Sequence, residues 1–181
     1  MKTAVVVLAD GFEEVEAATP IDLLRRSGVK VVVAGLASLT VVGARGISFV
    51  CDATLAELSQ PWDALILPGG MPGAKNLADS PLVKRWVDQS LERGSWVAAI
   101  CAAPALVLGA QGYLKDRNYT CYPGNETVVQ GGHPSTDAVV VDGPYVTSRG
   151  VGTAPAFALK LVELLVGSEA AQTVAKATLL A

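Results

Sequence analysis

Trp96-Val97-Ala98-Ala99-Ile100-Cys101-Ala102-Ala103-Pro104-Ala105 is the stretch whose reading decides the fold. Val97 to Ile100 is short and wholly apolar, as a strand buried on both faces is, whereas Ala102 to Gly109 is rich in Ala and Leu, which favour helix. Cys101 therefore falls on the joint between a strand and a helix. A sharp turn there lifts one side chain above the sheet and aims the following backbone N–H groups at whatever binds. The plainer alternative is a buried structural cysteine, since free Cys is among the most buried residue types.

Working outward, Thr3 to Ala9, Val29 to Leu36 and Asp63 to Leu67 are further apolar runs that read as core strands. Between the first two, Glu13 to Ser27 reads as a helix, with acids in its first turn and Arg25 and Arg26 in its last, so the segment is a βαβ unit. Pro20 removes one main-chain hydrogen bond from that helix and is expected to bend or loosen it near Glu16. Leu39 to Val42 and Ile47 to Cys51 flank Gly43-Ala44-Arg45-Gly46 and read as a hairpin or an antiparallel excursion, a pair that could sit at a sheet edge. Pro68-Gly69-Gly70-Met71-Pro72-Gly73 is a loop, and Pro81 to Arg93 is a helix capped by Ser80 and ended by Gly94. Tyr113 to Gly132 reads as loop with short pieces. Ala138 to Val141 and Tyr145 to Thr147 form a second hairpin, followed by a helix over Ala154 to Val166 and a last one N-capped by Ser168.

Strands alternating with helices specify an α/β layer fold with a mainly parallel sheet. In such sheets ligands bind beyond the carboxyl ends of the strands. Three of those ends carry chemistry: Asp10 to Glu16, Pro68 to Gly73, and Cys101. Their convergence on one edge favours a functional Cys101 over the structural reading.

The 181 residues fit a single domain, expected over 1–181. At 51% hydrophobic and 17% charged, the chain is somewhat apolar, which points to extensive burial including a subunit interface. A net charge of −3 and no run of Lys or Arg argue against a nucleic-acid or anionic-membrane partner. The N-terminal apolar run is too short for a secretory segment, and Pro104, Gly109, Gln111 and Gly112 interrupt the one long uncharged span, so no membrane helix is expected. Cys51, Cys101 and Cys121 are an odd, unpaired set, which suits reduced thiols in the cytoplasm.

The glycine loop lacks the spacing of a dinucleotide or P-loop motif. Beside a nucleophile its N–H groups can serve as an oxyanion pocket; otherwise it is an ordinary tight turn. Among the first-turn acids, Glu14 reads as one simply stabilised by the helix dipole. Glu16, on the face shared with Glu13, is the candidate for a buried, protonated carboxyl that donates to a thiolate. His133 reads as a surface or packing residue more than as the base of a Cys-His dyad. No metal-ligand spacing is present, so no metal and no cofactor are expected. Cys51 and Cys121 read as bystanders.

Taken together, Leu8-Ala9-Asp10-Gly11-Phe12-Glu13-Glu14-Val15-Glu16, Leu67-Pro68-Gly69-Gly70 with Gly73-Ala74, Ala98-Ala99-Ile100-Cys101-Ala102-Ala103-Pro104, and Thr147-Ser148-Arg149-Gly150 with Gly152-Thr153 resemble the DJ-1/PfpI (ThiJ) superfamily, in particular its DJ-1 branch. The resemblance runs in order over essentially the whole chain. It implies a three-layer, flavodoxin-like (Rossmann-type) α/β sandwich that forms a homodimer. It further implies a nucleophilic, peroxide-sensitive Cys101, a protonated Glu16 beside it, and an oxyanion pocket built from the N–H groups of Gly70 and Ala102. Arg45, Arg149 and Tyr122 would line the pocket, with Arg26 nearby. The activities implied are a glutathione-independent glyoxalase or a deglycase acting on a small reactive aldehyde or a glycated protein. A redox-sensing chaperone is the alternative, and a PfpI-like peptidase the more distant one. Tyr122 stands where many members carry a histidine, which weakens hydrolase readings more than the glyoxalase one, because Glu16 can move the proton after Cys101 attacks the aldehyde.

Overall fold

A computed structural model describes residues 1–59 and 61–180. The apolar runs become strands β1 (Thr3–Leu8), β2 (Lys30–Gly35), β6 (Ala64–Leu67) and β7 (Trp96–Ile100), all parallel at the centre of a seven-stranded sheet. β11 (Tyr145–Ser148) adds a parallel neighbour to β7, β10 (Val139–Asp142) closes that edge as an antiparallel strand, and β5 (Ala53–Thr54) closes the other beside β2. The spatial order is β10-β11-β7-β6-β1-β2-β5.

Strand side chains alternate between two faces, so both must be covered by apolar surface. Ala4, Val6 and Leu8 of β1 pack with Ala17, Ile21 and Leu24 of α1 (Glu14–Arg26) and with Phe157, Leu161 and Leu165 of α4 (Ala154–Val166). On the other face Val5 and Val7 meet Leu77 of α2 (Gly73–Ala78) and Val83, Trp86 and Val87 of α3 (Pro81–Glu92). The result is a three-layer α/β sandwich of flavodoxin-like type. α5 (Ser168–Ala177) packs outside α4.

Four local expectations are revised. The hairpin of β3 (Thr40–Val42) and β4 (Ser48–Val50) is a separate two-stranded sheet, not a sheet edge. It docks on the β1–α1 loop, where the Gly11 N–H donates to the Val42 carbonyl at 2.8 Å and the Ala44 N–H to the Phe12 carbonyl at 2.7 Å. α1 runs unbroken through Pro20, because its neighbours Ala17, Ile21 and Leu24 are anchored in the core and outweigh one lost hydrogen bond. The N-cap of α5 is Gly167, which ends α4 with φ +117°, so Ser168 is the first helical residue. α2 follows the glycine loop directly, where only loop was read. Among the described residues, no helix is long and apolar enough to cross a membrane.

Candidate active site

The loops at the carboxyl ends of β1, β6, β7 and β11 meet over one cavity of about 800 Å³. Glu16, Arg45, Gly70, Cys101, Ala102, Tyr122 and Arg149 all line it, together with Glu13 and Met71. Seven residues scattered from position 16 to position 149 are thus brought together.

Cys101 sits on the turn after β7 with φ +65°, a left-handed conformation that costs a non-glycine residue on the order of 1–3 kcal/mol and persists only where its surroundings enforce it. Its N–H donates to the Ser148 carbonyl at 3.0 Å, and its carbonyl accepts the Tyr122 N–H at 2.8 Å. Held on both sides, the turn releases the chain into a π-helical turn, Pro104–Gly109, a form that is rare and frequent at functional sites.

Glu16 is fully buried. Its Oε2 accepts the Gly69 N–H at 3.0 Å, and its Oε1 has no nitrogen or oxygen partner. A Cβ placed on Gly69 would stand 2.5 Å from Cys101 Cβ, 2.7 Å from Glu16 Oε2 and 3.0 Å from Cys101 Sγ. Gly69 is therefore the gap through which sulfur and carboxyl approach each other. Gly70, at φ +89°, is equally constrained: a Cβ there would lie 2.3 Å from the Glu13 nitrogen. The glycine loop serves close backbone packing against the β1–α1 loop, with its N–H left facing the thiol.

Electrostatics follow from this packing. Burial pushes the Glu16 carboxyl up to about 7, the hydrogen bond with Cys101 works against that rise, and the neighbouring Glu13 adds to it. Burial, and then Glu16 itself, push the thiol up to about 12, while the N–H groups of Gly70 and Ala102 pull it down. Two anions this close in a buried site repel, so the pair keeps at least one proton through neutral pH and titrates as a unit, and the higher proton affinity of the thiol leaves that proton on sulfur in the resting site. With the proton on Glu16 the carboxyl becomes a donor to the sulfur, and the two N–H groups then favour the thiolate.

Supporting contacts fix the rim. Glu13 caps α1, its Oε2 accepting the Glu16 N–H at 2.8 Å, which orients the start of the helix. Glu14, in the first turn of α1 as read from the sequence, is also buried: its Oε1 accepts the Arg45 N–H at 2.7 Å and the Ile47 N–H at 3.4 Å. It ties the β3–β4 turn, and with it Arg45, to the cavity. The Thr153 hydroxyl accepts the N–H groups of Arg149 and Gly150 at 3.2 and 3.1 Å, holding the opposite rim. Neither arginine takes part in an ion pair among the described residues.

Other positions lie elsewhere. Arg26 is at the far end of α1, paired with Asp22 at 2.7 Å, and does not reach the cavity. A helix start and a helix end cannot both adjoin one pocket at its N-terminal edge. His133 is exposed on β9 (His133–Pro134), paired with β8 (Asn118–Tyr119), so a Cys-His dyad is not formed. Cys51 and Cys121 are buried in the core. Among the described residues, no group of three or more His, Cys, Asp or Glu is placed to hold a metal. Sequence reasoning missed the clamp by Glu14 and the contact role of Gly69; two adjacent glycines and three near-adjacent acids were the available signals.

The sequence pattern of the DJ-1/PfpI family matches residues 2–164. The crystal structure of Drosophila melanogaster DJ-1beta superposes with a TM-score of 0.94 at 41% identity, covering 98% of this chain and 97% of that one. A DJ-1 superfamily protein from Salmonella typhimurium gives 0.95 at 38% identity, covering 98% of each chain. A Caenorhabditis elegans protein named glutathione-independent glyoxalase DJR-1.2 is 34% identical over 183 residues, 99% of this chain and 97% of its own length.

Proposed function

The chain belongs to the DJ-1/PfpI family, and from that premise we propose that it is a cysteine-dependent, cofactor-independent glyoxalase or deglycase acting on methylglyoxal-type 2-oxoaldehydes or their early protein adducts. The observation that carries this is the buried Glu16 carboxyl, pushed up to about 7, sharing the Gly69 gap with Cys101 Sγ. A carboxyl poised at neutral pH can both give and take a proton during one turnover.

As Cys101 Sγ adds to the aldehyde carbon its proton passes to Glu16, and the new oxyanion, held by the Gly70 and Ala102 N–H groups, takes that proton back. The resulting hemithioacetal keeps its C–H beside the Glu16 carboxylate. Glu16 removes that proton and returns it to the neighbouring carbon while the hydroxyl proton passes to the former ketone oxygen, giving a lactoyl thioester on Cys101. Water cleaves the thioester, releasing lactate and the thiol. The identically placed amine-borne adducts would be attacked at the same carbon, with the amine as leaving group. Methylglyoxal given to the purified protein should yield lactate; wild-type turnover no higher than that of Cys101→Ser would overturn the reading.

A redox-sensing role, with or without chaperoning, is favoured by the same two N–H groups, which would stabilise a Cys101 sulfinate. Mild peroxide followed by mass spectrometry tests it, with first modification at Cys51 or Cys121 counting against it. A peptidase reading has less support, since Tyr122 and no histidine lines the cavity. A homodimer is supported by exposed apolar side chains on neighbouring elements: Val15, Val42, Ile47 and Val50, the last 81% exposed. Three free thiols suit a reducing compartment such as the cytoplasm.

A further inference from the structure

Met71 belongs to two concavities. One is the cavity over Cys101; the other is a groove of about 380 Å³ between α2 and the π-helical turn, lined also by Lys75, Ala78, Asp79, Leu106, Ala110 and Gln111. Both walls of this groove descend from site loops: α2 from the glycine loop, the π-helical turn from Cys101. Met71 is 55% exposed and forms the ridge between them, and a thioether chain is flexible enough to let a ligand lie across it.

The far wall carries an unsatisfied acceptor. Gln111 Oε1 is buried and has no donor, while its Nε2 reaches the Ala78 carbonyl only at 3.4 Å. Buried amide oxygens in native structures are nearly always paired, and a loosely tethered carboxamide beside a groove can turn to accept an N–H from what enters it. Met71, Ala78, Leu106 and Ala110 supply apolar surface, and at the α2 rim Lys75 and Asp79 are paired with each other at 2.6 Å.

Resting on the glyoxalase or deglycase reading, we propose that the groove beyond Met71 is a second subsite. It takes the amide-bearing apolar remainder of a molecule, such as a short peptide chain, whose electrophilic carbon reaches Cys101. Free methylglyoxal has nothing to place there. The subsite thus distinguishes peptide-borne adducts from the small aldehyde, and Gln111 and Met71 become specificity residues.

The test uses alkylation, which needs no turnover: Cys101 Sγ displaces iodide from iodoacetamide or from iodoacetyl-leucinamide, forming a thioether. Peptide mapping reads the rate at Cys101 for each reagent, and glutathione supplies the reference ratio of the two. The wild type should prefer the leucinamide reagent by about tenfold beyond glutathione. Ala110→Trp, at an exposed position, should fill the groove and return the ratio to that of glutathione with the iodoacetamide rate unchanged. Gln111→Leu, which keeps the apolar volume, should lose about half the preference on a logarithmic scale. A wild-type ratio equal to that of glutathione, or one that neither variant alters, would overturn the subsite. Should the lactate assay alone fail, the function proposed above falls while the groove result stands on its own.

Discussion

Cys101 and Cys121 are neighbours across a single hydrogen bond, the Tyr122 N–H to the Cys101 carbonyl, yet their sulfurs meet opposite chemistry. Cys101 Sγ faces two N–H donors and a carboxyl that can carry a proton. Cys121 Sγ meets acceptors, the Tyr122 carbonyl at 3.4 Å and the Glu126 carboxylate at 4.0 Å; burial and Glu126 push it up to about 11 against the pull of Arg149, below the value of about 12 for Cys101, so it is the placement of donors and not proton affinity that separates the two. The lesson is that partial burial does not decide reactivity. A thiol becomes a nucleophile where donors surround it and its anion has somewhere to put its charge.

The largest expected effect breaks this contrast outright. Cys101→Ser should lower lactate formation by on the order of a thousandfold, and Cys121→Ser should leave it within about a factor of two. Comparable losses in both variants would mean that the two environments are functionally alike.

Glu16→Gln should cost on the order of a hundredfold in kcat/KM, since proton transfer by a positioned group is worth about that much. It should also alter the pH dependence of stability. Native Glu16 holds its proton up to about 7, whereas an unfolded glutamate releases it near 4.5. Between those values the folded state binds more protons, so stability falls as pH rises. The contribution is complete below 4.5 and lost on passing 7, on the order of 3 kcal/mol in all. Denaturant unfolding at pH 5 and pH 8 reads this difference, and Glu16→Gln, neutral throughout, should flatten it.

Gly69→Ala probes the gap itself. Its Cβ would press on Cys101 Cβ and on a buried carboxylate oxygen, neither of which is the free end of a flexible chain. A loss of about 1–3 kcal/mol in chemical denaturation is expected, with a drop in Cys101 alkylation. Gly46→Ala, where a Cβ meets nothing within 4 Å, controls for the methyl group; its cost should come from backbone conformation alone, about 1 kcal/mol at φ +85°.

The smallest effect concerns the order of oxidation. Substoichiometric peroxide should modify Cys101, which lines the open cavity with two N–H groups to hold a sulfinate, ahead of Cys121 and Cys51, which are buried in the core. Equal modification of all three by mass spectrometry would remove the distinction.

Much of this was legible in the chain. Continuous apolar runs at Thr3, Val29, Asp63 and Trp96 can only be strands covered on both faces, and the turn residues after three of them mark the loaded edge. Those patterns are local, and local periodicity survives reading. The burial of Glu14 is not legible, because a first-turn acid looks the same in sequence whether the helix start is open to water or covered by a hairpin from residues 40–50. Arg26 was misplaced because resemblance carries a residue's identity and not its distance, and α1 separates it from Glu16 by most of its length.

The sequence by itself determined the sheet, the turn at Cys101 and the identity of the acid, because hydrophobic period and turn chemistry are written residue by residue. Only the tertiary structure decided which of three thiols is surrounded by donors, that Gly69 is a gap and not merely a turn, and that Glu14 is a clamp. Each of these depends on atoms brought together from distant parts of the chain, where burial and proximity set proton affinity, and no local pattern encodes that distance.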